Sequence, residues 1–193
     1  NSVYDVYFLN FRNMDFLGSG NSLASYNNIG LRFSGQKDNF ALEAELTLQN
    51  SSGTSSKNDV SASLFSFNLG YKPTSTRFLN SVFLGLDRVS GDDSSTETAE
   101  GFSKEFGARH KHHGFYDFSL HKKYFGHGHD GLNEINAKAN IDILKRTNLL
   151  VALHNFRSAV KDIYYGSEVN FIFKTKHNDE ISSEIGSIFY FPD

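Results

Sequence analysis

Six of the chain's eight histidines fall within twenty residues, at His110, His112, His113, His121, His127 and His129. Acidic side chains share the region: Asp92, Asp93, Glu97, Glu100, Glu105 and Asp130. Imidazole and carboxylate groups are ligands for zinc, copper or nickel, and two histidines one residue apart on an extended segment project to the same side. His110 with His112, and His127 with His129, are therefore the candidate chelators. Asp92 and Asp93 offer the oxygen donors that calcium takes. A solvated polar loop that binds nothing has the same composition, so both readings stand at this point. Catalysis has less to work with. Serine and histidine are plentiful, but there is no G-x-S-x-G, no H-E-x-x-H and no cysteine. The chain is read as a non-enzyme with no cofactor.

Whatever positions this region must be made from an unusual composition. Of 193 residues, 38% are hydrophobic and 15% are aromatic, all of them Phe and Tyr. Mean hydropathy is nevertheless −0.42. Such a chain has to place its apolar residues selectively. Zero Cys excludes a disulfide framework and suits an exported bacterial chain. No apolar run approaches the roughly 18–20 residues of a membrane helix, and Leu149 to Leu153 is the longest candidate. Strands of about ten alternating residues cross membranes by another route. The residues from Asn1 show neither a charged n-region nor an apolar h-region, so no signal peptide is expected within the chain. A net charge of −3 points to no nucleic-acid partner.

The governing pattern has period two. From Phe40 to Gln49 one face reads Phe, Leu, Ala, Leu, Leu and the other Ala, Glu, Glu, Thr, Gln. Ile135, Ala137, Ala139, Ile141 and Ile143 alternate with Asn136, Lys138, Asn140 and Asp142. Successive strand side chains point to opposite faces, so each segment has one apolar and one polar surface. The pattern recurs at 27–34, 61–71, 77–88, 148–156, 166–174 and 181–190. A further strand is expected near 3–11, where aromatics on both faces hide the register. Aromatics cap the apolar faces at Tyr71, Phe78, Tyr164, Tyr165, Phe189 and Phe191, as in membrane-interface girdles.

Connections alternate between short turns at 35–38, 72–75, 144–147 and 176–179 and long links at 13–26, 50–60, 91–131 and 157–164. Short periplasmic turns and long extracellular loops are the habit of outer-membrane barrels. Keeping that alternation makes 91–131 one extracellular loop, with 113–118 as local structure inside it. Nine spanning strands remain. Single-chain bacterial barrels have even counts, and an open edge is intolerable in lipid, so the chain is expected to be part of a larger barrel. The fold class is thus all-β, an antiparallel transmembrane β-barrel segment in the bacterial outer membrane.

Several stretches carry a family resemblance. Gly85-Leu86-Asp87-Arg88-Val89-Ser90-Gly91-Asp92-Asp93 resembles the strand-to-loop signature of the bacterial alginate-export outer-membrane porin family. His110-Lys111-His112-His113-Gly114-Phe115-Tyr116-Asp117 is similar to the His-rich aromatic segment that follows it there. Tyr26 to Arg32, Asn133 to Ile143, Gly166 to Val169, and Ser182 to Gly186 with Phe191-Pro192-Asp193 match in the same order. The resemblance implies a barrel of about eighteen strands, with this chain as the C-terminal half lacking its closing strand. It also implies a polyuronate-type cargo and an arginine-rich lumen.

The polar faces depart from that lumen. The residues expected to line a pore are Arg32, Glu43, Glu45, Asp87, Asn136, Lys138, Asn140, Asp142, Glu168, Lys174 and Glu184. Six are acidic and three basic. The expected function is an outer-membrane, porin-like channel for passive diffusion or export of small hydrophilic solutes or polysaccharide. Its partners would be outer-membrane lipid and the solute, with oligomeric state open. Two alternatives stand beside it: a barrel that binds metal or a surface partner through its His/Asp-rich loop, and a soluble barrel that binds an apolar ligand. The loop histidines, near pH 6.5 when unperturbed, are expected above the pore mouth and to make it more positive on acidification.

Overall fold

The computed structural model describes residues 2–15, 23–51, 59–74, 76, 78–103, 113–116, 129–161 and 163–193. Among the described residues nine strands follow one another: β1 (Ser2–Asp15), β2 (Leu23–Lys37), β3 (Phe40–Ser51), β4 (Ser61–Tyr71), β5 (Leu79–Val89), β6 (Leu132–Leu144), β7 (Thr147–Arg157), β8 (Tyr164–Lys176) and β9 (Ser182–Pro192). They form a single antiparallel sheet in sequence order. No pairing joins β1 to β9 among the described residues. All nine expected strands are present, and residues 113–116 lie outside the sheet. Most strands run a few residues past the clean alternation. β5 instead starts late, at Leu79, with a register shift between Leu79 and Ser81.

Two links shrink to two residues. Asp38 at φ 52° sits between β2 and β3, and Arg146 at φ 71° between β6 and β7. Both occupy the left-handed region that tight hairpins need. The β5-to-β6 excursion, by contrast, spans everything between Val89 and Leu132.

Directly opposed residues of an antiparallel pair share a face, so the register sorts the whole sheet. One row reads Leu42, Leu69, Leu84, Ala137, Leu153, Val169 and Phe189. Leu46, Ile135, Ala139, Ile141, Leu149, Val151 and Phe171 belong to the same face. This apolar face is uncovered: Leu84 is 64% exposed, Ile135 65% and Leu46 44%. Towards the long-loop end it is bounded by Arg88, Asn133 and Arg157, with the Arg157 guanidinium 5.7 Å from the Tyr164 ring centroid. An interfacial position suits such amphipathic side chains.

The opposite face is polar and carries what is buried. Its register also settles β1. Tyr4, Val6 and Phe8 lie with the apolar face, and Tyr7 and Phe11 with the polar one. The Tyr7 hydroxyl donates to Glu45 Oε1 at 2.7 Å and shares a 2.5 Å hydrogen bond with Thr47 Oγ1. Phe11 stacks on Tyr26 at 4.9 Å. Tyr165 departs from expectation. A register shift between Phe156 and Arg157, with Gly166 at φ 138°, inserts one residue into β8. The bulge turns Tyr165 away from the apolar face and into a cluster with Val89, Phe102, Leu132 and Phe156.

Candidate functional site: the loop-covered polar face

The long β5–β6 loop does not stand clear of the sheet. Its first part runs back along the start of β4, with Ser61 N donating to Ala99 O and Ala99 N to Asp59 O. Phe102 then seals the small apolar cluster, and its N–H bonds Ser90 O at 3.1 Å. Gln49 on β3 grips Ser103 twice: its Nε2 donates to Ser103 O at 3.1 Å and its Oε1 accepts from Ser103 N at 2.9 Å. A side-chain amide here completes the backbone bonding that a neighbouring strand would otherwise supply.

Further along, residues 113–116 dock onto β5, β6 and β8 through buried polar groups. Glu134 is fully buried. Its Oε2 lies 2.7 Å from His113 Nδ1, and its Oε1 lies 2.7 Å from His154 Nδ1 and accepts from Asn136 Nδ2 at 3.2 Å. Asp87, directly opposite Glu134 in the register, brings Oδ2 to 3.8 Å from His113 Nδ1. Next to this cluster, Glu168 accepts from the Phe115 N–H at 2.6 Å and the Tyr116 N–H at 3.1 Å. Gly114 makes that grip possible. At φ 76° it is left-handed, and a Cβ there would lie 2.5 Å from Glu168 Oε1. Tyr116 stacks on Tyr190 at 4.8 Å. Gly85 plays a parallel role in the sheet, where a Cβ would lie 2.5 Å from the side-chain oxygens of both Asn68 and Asn136. Carboxylates held this way anchor backbone N–H groups and imidazoles, and they gather negative charge where solvent is excluded.

A family model described as alginate export matches residues 16–187. The chain belongs to the alginate export family. No curated protein and no solved structure matches it. The alginate export family is one of outer-membrane transport channels, and the all-β antiparallel sheet is the architecture such a barrel requires.

Within this alginate-export chain, every residue expected to line a pore lies on the polar face, but not in one environment. Glu43, Asp142, Lys174 and Glu184 are exposed, and Arg32, Glu45, Lys138 and Asn140 are partly so. Two of the three cations are paired, Arg32 with Asp5 at 3.8 Å and Lys174 with Glu184 at 3.0 Å. Asp87, Asn136 and Glu168 are buried at the docked loop.

Of the expected chelators, His110, His112 and His127 lie outside the described residues. His129 is described and half-buried. Burial pulls its pKa below the ordinary histidine value against the opposing pull of Asp130 and Asp92, so it does not titrate as an unperturbed loop histidine. Asp92 and Asp93 organise local backbone, accepting from Glu100 N and Ser95 N at 2.9 Å each. Those Ser95 bonds hold the Asp93 carboxyl below the usual carboxylate range. His113 is buried against the polar face, near the loop end of β5 and β6. Its partner Glu134, and His154 on the other oxygen of Glu134, were not among the expected site residues. Glu134 was within reach, one alternation step before Asn136. His154 sits in a stretch whose polar-face neighbours are Leu150 and Ala152, which masks the pattern.

Proposed function

We propose that the chain forms part of the wall of an outer-membrane conduit, a larger barrel whose polar face lines the path of a hydrophilic solute or polysaccharide. The observation that carries this reading is the division of the sheet. An uncovered apolar band occupies one face, and every charged residue of the pore-lining set occupies the other. Lipid would take the first face and water the second. A barrel for an apolar ligand would turn its apolar face inward, yet the loop packs on the polar face. The 91–131 segment is assigned to the extracellular side, where its docked part narrows the conduit and sets access. Transport, not catalysis, is the role assigned.

The lining in this segment favours cations. Its acids outnumber its bases, and Arg32 and Lys174 are neutralised locally by Asp5 and Glu184. Clustered charge at a constriction raises the local concentration of the opposite ion. The test is single-channel recording of the full-length protein in planar bilayers under a salt gradient. We expect steady conductance with a modest cation preference at pH 7. Absence of conductance would reject the conduit. Strong anion selectivity would reject these side chains as the selectivity-setting lining and favour a polyuronate.

A further inference from the structure

Asp87, His113 and Glu134 pose an electrostatic problem that hydrogen bonding alone leaves unsolved. Two carboxylates stand directly opposite each other on β5 and β6, and both are buried. Like charges so placed repel, and buried charge is found paired or bound to metal. His113 Nδ1 holds at most one proton. At 2.7 Å it can share that proton with Glu134 Oε2, which leaves Asp87 Oδ2 at 3.8 Å, beyond hydrogen-bond range. Asp87 Oδ1 and Asn136 Oδ1 are buried with no hydrogen-bond partner among the described residues. Lys138 lies two alternation steps along β6 on the same face, and it is only partly buried. One divalent ion would neutralise both carboxylates at once.

The donor geometry suits it. One ligand atom from each of Asp87, His113 and Glu134 lies within 4.8 Å of the others. The two oxygens of Glu134 have divided roles. Oε1 is held by His154 Nδ1 and Asn136 Nδ2, and Oε2 is turned towards His113 and Asp87. That is how an outer layer of hydrogen bonds orients a metal-binding carboxylate. One imidazole with two carboxylates selects a zinc-class ion over calcium or magnesium, which take oxygen ligands.

We propose that Asp87, His113 and Glu134 bind one zinc-class divalent ion, with His154 and Asn136 as positioning residues, and that the ion pins the loop to the β5–β6 wall. This inference does not depend on the transport reading. The test uses full-length protein in detergent, stripped with chelator and titrated with Zn2+ by calorimetry. We expect one equivalent to bind. Glu134→Gln or His113→Ala should weaken it at least tenfold, and His154→Gln should weaken it by roughly ten- to a hundredfold. Replacing His110, His112, His127 and His129 together by Gln should leave it intact. The opposite pattern, with loss only in the fourfold variant, would overturn the site. So would Ca2+ displacing Zn2+ at equal concentration. Should Glu134→Gln fail to assemble, X-ray absorption on the zinc-loaded wild-type protein decides. One imidazole with oxygen ligands is expected, and a site of two or more imidazoles overturns it.

Discussion

Replacing Glu168 by Gln should release the loop from the sheet without disturbing the strands. The carboxylate accepts two backbone N–H groups, from Phe115 at 2.6 Å and Tyr116 at 3.1 Å, while fully buried. Hydrogen bonds to a charged acceptor are worth about 1.5–3 kcal/mol each. Gln keeps one acceptor oxygen and turns its NH2 towards the other N–H, so one bond is lost and the remaining one becomes neutral. A buried donor left facing a donor costs a further ~1–3 kcal/mol. Taking about 3 kcal/mol in all, the loop-open population should rise roughly a hundredfold at ~1.4 kcal/mol per factor of ten. Amide hydrogen exchange reads this directly, because protection of Phe115 and Tyr116 reports local opening and not global unfolding. Their exchange should accelerate by about that factor, while amides in β3 stay protected. Unchanged protection at Phe115 and Tyr116 would refute the claim that Glu168 holds the loop.

The apolar face offers a second measurement. Leu84→Arg places a charge in the middle of the uncovered band and should cost about 2–4 kcal/mol in lipid vesicles, whereas Glu43→Arg on the polar face should cost little; equal costs in urea unfolding would contradict the face assignment. His129 supplies a pH dependence. Its folded pKa is lowered, so the fold favours the neutral imidazole, and the unfolded chain takes up protons first as pH falls through about 6.5. Its contribution is therefore complete above that value and declines below it. Protection of the Asp92 amide, which donates to His129 O at 2.7 Å, should weaken from pH 7 to pH 5 in the wild type and be flat in His129→Gln.

What could be read from the residues alone was whatever obeys the alternation. Phe40 to Gln49 and Ile135 to Ile143 carry their face assignments openly, because a half-buried strand separates polar from apolar at every step. Three features escaped for distinct reasons. Tyr7 and Tyr4 are chemically alike, so only the pairing with β2 shows which one reaches Glu45 and Thr47. Tyr165 is itself the inserted residue of the β8 bulge, and one insertion breaks the alternation without leaving a mark on composition. His113 meets Glu134 across a loop, and no periodicity relates a loop residue to the strand it returns to. The excess of histidine between His110 and His129 includes His113, but nothing in its spacing points to Asp87 and Glu134, the β5 and β6 carboxylates beside which His113 lies.

The length of the β5–β6 excursion also bears on how the sheet comes together. Among the described residues every strand pairs only with its neighbours in sequence, so hairpins can form one after another with little chain to gather. The link between Val89 and Leu132 is the exception. Compared with the two-residue link at Lys145-Arg146 it is longer by roughly four doublings, about 2.5 kcal/mol of extra closure entropy at ~0.6 kcal/mol per doubling. The same seam sets Asp87 against Glu134. β1–β5 and β6–β9 thus form two zippers, each able to close early, whose junction closes late. The contacts that bridge it, Phe102 against Leu132 and His113 between Asp87 and Glu134, come from the intervening loop itself. The loop therefore serves as a clasp for the kinetic weak point of the sheet, and shortening it would remove the clasp along with the slack.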